Sequence, residues 1–394
     1  MTRRPTIEIA THKELRARRG KKWQAYSSDI LPAWVADMDI KTAPFVRRSL
    51  LAALDTGDLG YPPISEMSGV PEAFSAWCSR RWGWSLSPES IHLVPEVVAG
   101  IDNCIETLTE FGDAIMVQTP SYPPLMSSVR NLGRRLVLNE LGPDVVDIER
   151  MRDQIEAEKV RMLLLCNPHN PTGRIFSRTE LRGIAEIVER CDVLVVSDEV
   201  HADLAFPSSS RRHIPFASLD AGLAARTITF NSASKAFNIA GLRLAVCAVE
   251  NAKLRKRLFT LPTHRWSAYS TLGVHATLAA WVDEGEEWLD ALLEHLEGVR
   301  DHVAEAVRQC LPDISFTPPM ASYLAWFDCR ALQLPKPAFE FFLDRARVGL
   351  SRGEDFGPPG VGHVRMNFGT SHEIAGEIID RMGRAITAYR RRHV

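Results

Sequence analysis

Three stretches of this 394-residue chain place chemically specific side chains directly after short apolar or β-branched runs. RMLLLC (161–166) is followed by NPHNPTG, Asn167 to Gly173. VLVVS (193–197) is followed by DEVH, Asp198 to His201, and TITF (227–230) by NSASKAFNIAGLR, Asn231 to Arg243. In an open parallel sheet, ligands bind outside the carboxyl ends of the strands, so the residues just after each run matter more than the run itself. Lys235 lies in a turn of small residues between a strand and an apolar stretch, where an amine is both desolvated and reachable, and this is how a Schiff-base lysine becomes nucleophilic. A solvated surface lysine is the ordinary reading of any one lysine, but only 9 of the 47 basic residues here are Lys. Ser232, Ser234 and Arg243 add two hydroxyls and a planar guanidinium suited to a phosphate group. PEVVAGI, after 91–94, enters an apolar helix-like run and offers the backbone N–H groups of Val97, Val98 and Ala99 to the same anion.

Holding these turns side by side requires a sheet. Short apolar runs alternate with longer amphipathic stretches through the middle of the chain, the pattern of an α/β domain around a mostly parallel sheet. Strands are predicted near 114–118, 135–138, 161–166, 193–197, 227–230 and 244–249. Residues 177–190 open with Ser177 and carry Glu180 three positions on, a capping-box start to an amphipathic helix. Beyond about 290 the pattern changes to a long helix over 288–310, strands at 322–327 and 363–368, and a closing helix from 372, which together read as a smaller α+β unit. The expected division is an N-terminal arm over 1–45, a large domain over 46–290 and a small domain over 291–394.

Composition narrows the class of partner. With 45% hydrophobic and 24% charged residues the chain is an ordinary globular protein, and a formal charge of −2 supplies no basic field for nucleic acid or an acidic membrane. The seven cysteines are scattered, with no C-x-x-C pair, and read as buried thiols in a reducing compartment. No apolar run approaches the length of a membrane span, and no H-E-x-x-H or comparable spacing suggests a metal site. The expectation is a cytoplasmic protein with a small-molecule substrate.

Taken together, the asparagine of NPHNPTG, the aspartate of DEVH, the lysine of SASK and the arginine eight residues later resemble, in order and spacing, the fold-type I pyridoxal 5'-phosphate (PLP) enzymes of the aspartate aminotransferase superfamily. The resemblance runs from about residue 30 to the carboxyl end. It implies a seven-stranded, mostly parallel sheet in the large domain, with PLP bound covalently to Lys235. It further implies that Asn170 donates to the cofactor's phenolic oxygen, that Asp198 pairs with its pyridine nitrogen, and that Tyr122 stacks on the ring. Tyr61 in LGYPP is similar to a tyrosine that reaches the partner subunit's phosphate, which implies a homodimer. Arg365 in HVRMNFG matches the arginine that clamps the substrate carboxylate. WVADMD (34–39), NPHNPTGR, SDEVHADL and SKAFNIAGLR look like the MalY/PatB group of C–S β-lyases, with His201 where many aminotransferases carry a tyrosine. SASKAF and MASYLAW (320–326) depart from that group's usual pattern. The resemblance therefore implies β-elimination of cystathionine or another cysteine S-conjugate, with Lys235 as base and Tyr122 as a nearby acid. An aminotransferase, a decarboxylating or oxidatively deaminating relative, and a PLP-binding regulator remain open.

Overall fold

In a computed structural model, which describes residues 5–142 and 145–391, the apolar runs become one seven-stranded sheet. Its strands are β1 (Ile91–Val94), β2 (Ala114–Thr119), β3 (Arg135–Glu140), β4 (Val160–Cys166), β5 (Leu194–Asp198), β6 (Thr227–Asn231) and β7 (Ala245–Ala248). The spatial order is β1-β7-β6-β5-β4-β2-β3. Only β7 runs against its neighbours, antiparallel to both β1 and β6, while β6, β5, β4, β2 and β3 pair in parallel. β2 and β6 are buried at every position, as a sheet covered on both faces requires. The period of two sorts the side chains: Met162 and Leu164 of β4 join one core, Leu163 and Leu165 the other.

Helices fill the connections. α1 (Val97–Leu108) and α2 (Pro123–Asn131) cover one face through Ile101, Ile105, Leu125 and Val129. α3 (Arg178–Arg190) covers the other through Leu181, Ile184 and Val188. α3 begins with the predicted capping box: Ser177 Oγ accepts from Glu180 N, and the Glu180 carboxylate accepts from Ser177 N at 2.8 Å. Glu180 does more than cap, because it also accepts from Val146 N and forms ion pairs with Arg174 and Arg211.

The later part of the chain builds a second sheet. α4 (Asp283–Cys310) begins five residues before the expected start, on the acidic first turn of Asp283, Glu284 and Glu286. β8 (Ser315–Phe316), β9 (Leu324–Asp328), β10 (Ser351–Arg352) and β11 (His363–Asn367) form an antiparallel sheet in the order β10-β11-β9-β8, closed by α5 (His372–Arg390). Leu31 and Pro32, from the N-terminal region, pair in parallel with Val348 and Gly349. The segment 34–39 then runs on from that pairing to the mouth of the large sheet. Among the described residues no helix is long and apolar enough to cross a membrane.

Candidate active site

The carboxyl ends of β4, β5 and β6, the start of α1 and the middle of β11 converge on a cavity of about 180 Å³. At the 10–15 Å³ one water needs, that is room for on the order of a dozen waters, enough for a substituted aromatic ring. Val97, Val98, Tyr122, Asn170, Asp198, His201, Ser232, Ser234, Lys235, Arg243 and Arg365 all line it. Ala99 lies one residue deeper in α1 and is not among the lining residues, and Tyr61 stands fully exposed in the 59–62 loop, beside Tyr269 and Leu272.

Lys235 projects into this space from a short turn (Ala233–Ala236) after β6, capped by Ser232. Its Nζ donates to the carbonyl of Ala36 at 3.3 Å, and burial, reinforced by the Arg365 charge, pushes its pKa below the usual lysine range. Asp198 ends β5. One of its oxygens accepts from Val200 N at 3.1 Å, and among the described residues no basic side chain forms an ion pair with it. Burial raises its pKa to about 6. His201 is buried beside it with Nδ1 unpartnered, and burial lowers its pKa to about 3, so the ring is neutral at pH 7.

Arg365 closes the far side from β11. Nη1 donates to Asn170 Oδ1 at 2.9 Å, which leaves the amide nitrogen of Asn170 for a ligand, and Nη2 donates to the Trp34 carbonyl at 3.0 Å and to Ser351 Oγ at 3.2 Å. Nε is buried without a partner, and burial lowers the pKa to about 10. A buried guanidinium with no carboxylate against it among the described residues is an anion site in waiting. Tyr122, the residue before α2, keeps its proton at neutral pH because burial raises its pKa.

At the other end of the cavity, α1 starts after Glu96 with no side-chain cap, so its first N–H groups are free for an anion. Ser234 stands nearby. The Ser232 hydroxyl is already engaged, donating to the Leu244 carbonyl at 2.6 Å and accepting from Ser234 N at 3.1 Å. Arg243 is held at the rim with a left-handed backbone, φ 51°, and its guanidinium pairs with Glu96. The set fits PLP as expected from the sequence: an amine for its aldehyde, a buried unpaired carboxylate for its pyridine nitrogen, an amide for its phenolic oxygen, and a helix start for its phosphate.

Sequence reading passed over two participants. Ala36 contributes only a backbone carbonyl, which accepts from Lys235 and also from Tyr323 Oη at 3.2 Å. No side-chain pattern announces a carbonyl. Glu96 was hidden inside PEVVAGI, where an acid before a helix reads as ordinary dipole chemistry.

Residues 35–382 match the family model for aminotransferase class I and II. The chain belongs to that family. Within it, this chain groups with MalY and PatB. It is 34% identical over 350 residues to cystathionine beta-lyase PatB of Bacillus subtilis, covering 87% of this chain and 89% of that one. Among solved structures it resembles cystalysin of Treponema denticola, which contains a PLP cofactor, with TM-score 0.91 at 28% identity over 98% of this chain and all of that one. It also resembles the PLP-bound C–S lyase of Staphylococcus hominis, with TM-score 0.88 at 30% identity over 96% and 98% of the two chains.

Proposed function

We propose that this protein is a PLP-dependent carbon–sulfur β-lyase that splits cystathionine or a related cysteine S-conjugate into a thiol, pyruvate and ammonia. The observation that carries the reading is the Lys235 amine, poised in a cavity with a depressed pKa between an unpaired carboxylate, Asp198, and an unpaired guanidinium, Arg365. The names of relatives such as PatB and the C–S lyase of Staphylococcus hominis support the choice of elimination within this family.

Bound PLP supplies an electron sink for the charge left at the substrate's Cα. Arg365 takes the substrate carboxylate in its planar fork, and Asn170, bonded to that same guanidinium, ties the carboxylate end to the cofactor end. The depressed pKa of Lys235 favours a neutral amine, which serves as the base that removes the Cα proton. Asp198, a buried carboxylate lining the cavity, would hold the cofactor's pyridine nitrogen and keep it protonated. The C–S bond breaks as the Cα–Cβ double bond forms, and the thiolate, a tolerable leaving group near neutral pH, takes a proton from Tyr122 or from water. Water then converts the released aminoacrylate to pyruvate and ammonia. His201, neutral and buried, can donate or accept one hydrogen bond without adding charge beside the lysine.

The same proposal takes the active unit as a cytoplasmic homodimer, with Tyr61 reaching the partner's phosphate. The exposed apolar side chains around Tyr61 and the free state of all seven cysteines support it. It also keeps the division into an arm over 1–45, a large domain over 46–290 and a small domain over 291–394. The later boundary falls inside α4, which makes that helix a shared element. The test is to offer cystathionine and several cysteine S-conjugates to purified enzyme and assay thiol and pyruvate. Both products should appear in equal amounts; amino-group transfer to a 2-oxo acid without either would replace the lyase by an aminotransferase.

A further inference from the structure

The phosphate end of the cavity contains a charge that does not belong to an anion site. Among the described residues lining the cavity, the basic side chains other than neutral His201 are Lys235, Arg243 and Arg365. Lys235 is taken by the cofactor's aldehyde, and Arg365 is bonded to Asn170 and Trp34 at the opposite end. Arg243 is thus the one guanidinium left to neutralise a phosphate at the start of α1, and its partner here is the Glu96 carboxylate. Glu96 is also the residue from which α1 springs. Its backbone is extended at φ −164°, and its side chain leaves the helix N–H groups uncapped and reaches across to Arg243 instead.

We propose that Glu96 competes with the cofactor's phosphate for Arg243, and so sets how tightly this protein holds PLP. A carboxylate and a phosphate dianion at one helix start repel each other, and one guanidinium must serve both. The Arg243 and Glu96 side chains are 59% and 46% exposed, and exposed ion pairs contribute little, so an arriving phosphate with backbone N–H support takes the guanidinium away. The exchange leaves Glu96 without its partner beside the new anion. The penalty falls on ligands that carry a phosphate and spares those that do not. Glu96 therefore acts as a specificity-determining residue for the cofactor's anionic end, while the covalent chemistry at Lys235 is untouched.

The test compares cofactor-free wild type with Glu96→Gln, and with Glu96→Ala as a second variant that cannot hydrogen-bond. PLP is titrated by visible absorbance, inorganic phosphate by its competition with PLP rebinding, and pyridoxal, which lacks the phosphate, serves as the control. Both variants should bind PLP and inorganic phosphate roughly fivefold more tightly, in line with the loss of one exposed pair plus the repulsion it leaves behind. Capture of pyridoxal should not change. Unchanged or weaker PLP binding in both variants, or an equal gain for pyridoxal, overturns the proposal. A wild-type protein that captures neither PLP nor pyridoxal would instead reject the cofactor assignment on which the proposal rests, and the competition with it.

Discussion

Asp198 shows how one carboxylate can be a burden to the empty protein and a requirement for the loaded one. Its pKa is raised from 3.8 to about 6 by burial, so the folded state holds its proton more tightly than the unfolded chain does. The stability tied to that proton is full below pH 3.8 and is lost as pH rises through 6. At about 1.4 kcal/mol per unit, the charged carboxylate costs on the order of 3 kcal/mol at pH 7.5. Asp198→Asn keeps an acceptor for Val200 N and removes the charge, so the cofactor-free variant should resist urea better than cofactor-free wild type at pH 7.5, with the gain fading by pH 4. With PLP and substrate present the order should reverse, because a fixed charge opposite the ring nitrogen has gone, and pyruvate release should fall by at least about a hundredfold. A cofactor-free variant no more stable than wild type at pH 7.5 would refute the account. At this scale the sequence was informative wherever a side chain supplies the chemistry: Lys235, Asp198, Asn170 and Arg365 stand at strand ends or in an apolar strand where a solvated residue has no reason to be. The Ala36 carbonyl carries no such mark, and the pairing of Glu96 with Arg243 joins residues 147 positions apart, which no local pattern records.

The elements position these groups by close contact, and one such contact is between α1 and β6. Gly100, one turn into α1, lies against Phe230, five residues before Lys235; a Cβ at position 100 would sit 2.2 Å from the ring's Cε1 and 2.8 Å from Cζ. Within an isolated helix Gly→Ala is worth up to about 1 kcal/mol of added stability. Here Gly100→Ala should instead destabilise by about 1–3 kcal/mol, the usual effect of an overpacked core, and should weaken PLP binding by moving the start of α1 away from the lysine turn. Urea midpoints and PLP dissociation constants measure both effects. Phe230→Leu in the same chain should recover part of each loss, since the pair shares one space and must couple; losses that simply add would remove the steric explanation. Apart from β1, β8 and β10, which were not predicted, strand positions were legible to within one or two residues, because β-branched and apolar runs end at Asn, Asp and Gly turns. The reversed direction of β7 was not, since a four-residue apolar run such as Ala245–Ala248 reads the same either way. The early start of α4 at Asp283 had a signal in its acidic first turn, which hydrophobic periodicity alone does not weigh.

For the whole molecule, the question is what covers the surface that these elements leave apolar. Leu51 and Leu54 on the helix Pro44–Asp55, with Leu59, Tyr61, Ile64 and Met67 in the segment after it, are all exposed; Tyr61 is fully so and Met67 77% so. A run of this kind within 17 residues is more than the scattered apolar surface of a typical monomer. A second copy of the chain, docked about a two-fold axis as proposed above, would bury it on both sides at once. The 44.0 kDa chain should therefore sediment at twice that mass, about 88 kDa. Placing charges at the centre with Ile64→Glu and Met67→Glu should shift it to the single-chain mass while leaving its far-ultraviolet spectrum intact, because neither side chain belongs to a buried core. Tyr61→Phe separates assembly from cofactor contact: it should leave the mass unchanged and loosen PLP by about 1.5–3 kcal/mol, the worth of a hydroxyl bonded to a charged group. Wild-type protein sedimenting at 44.0 kDa would reject the dimer, and Tyr61→Phe with unaltered PLP affinity would keep the dimer but withdraw the tyrosine from the partner's phosphate.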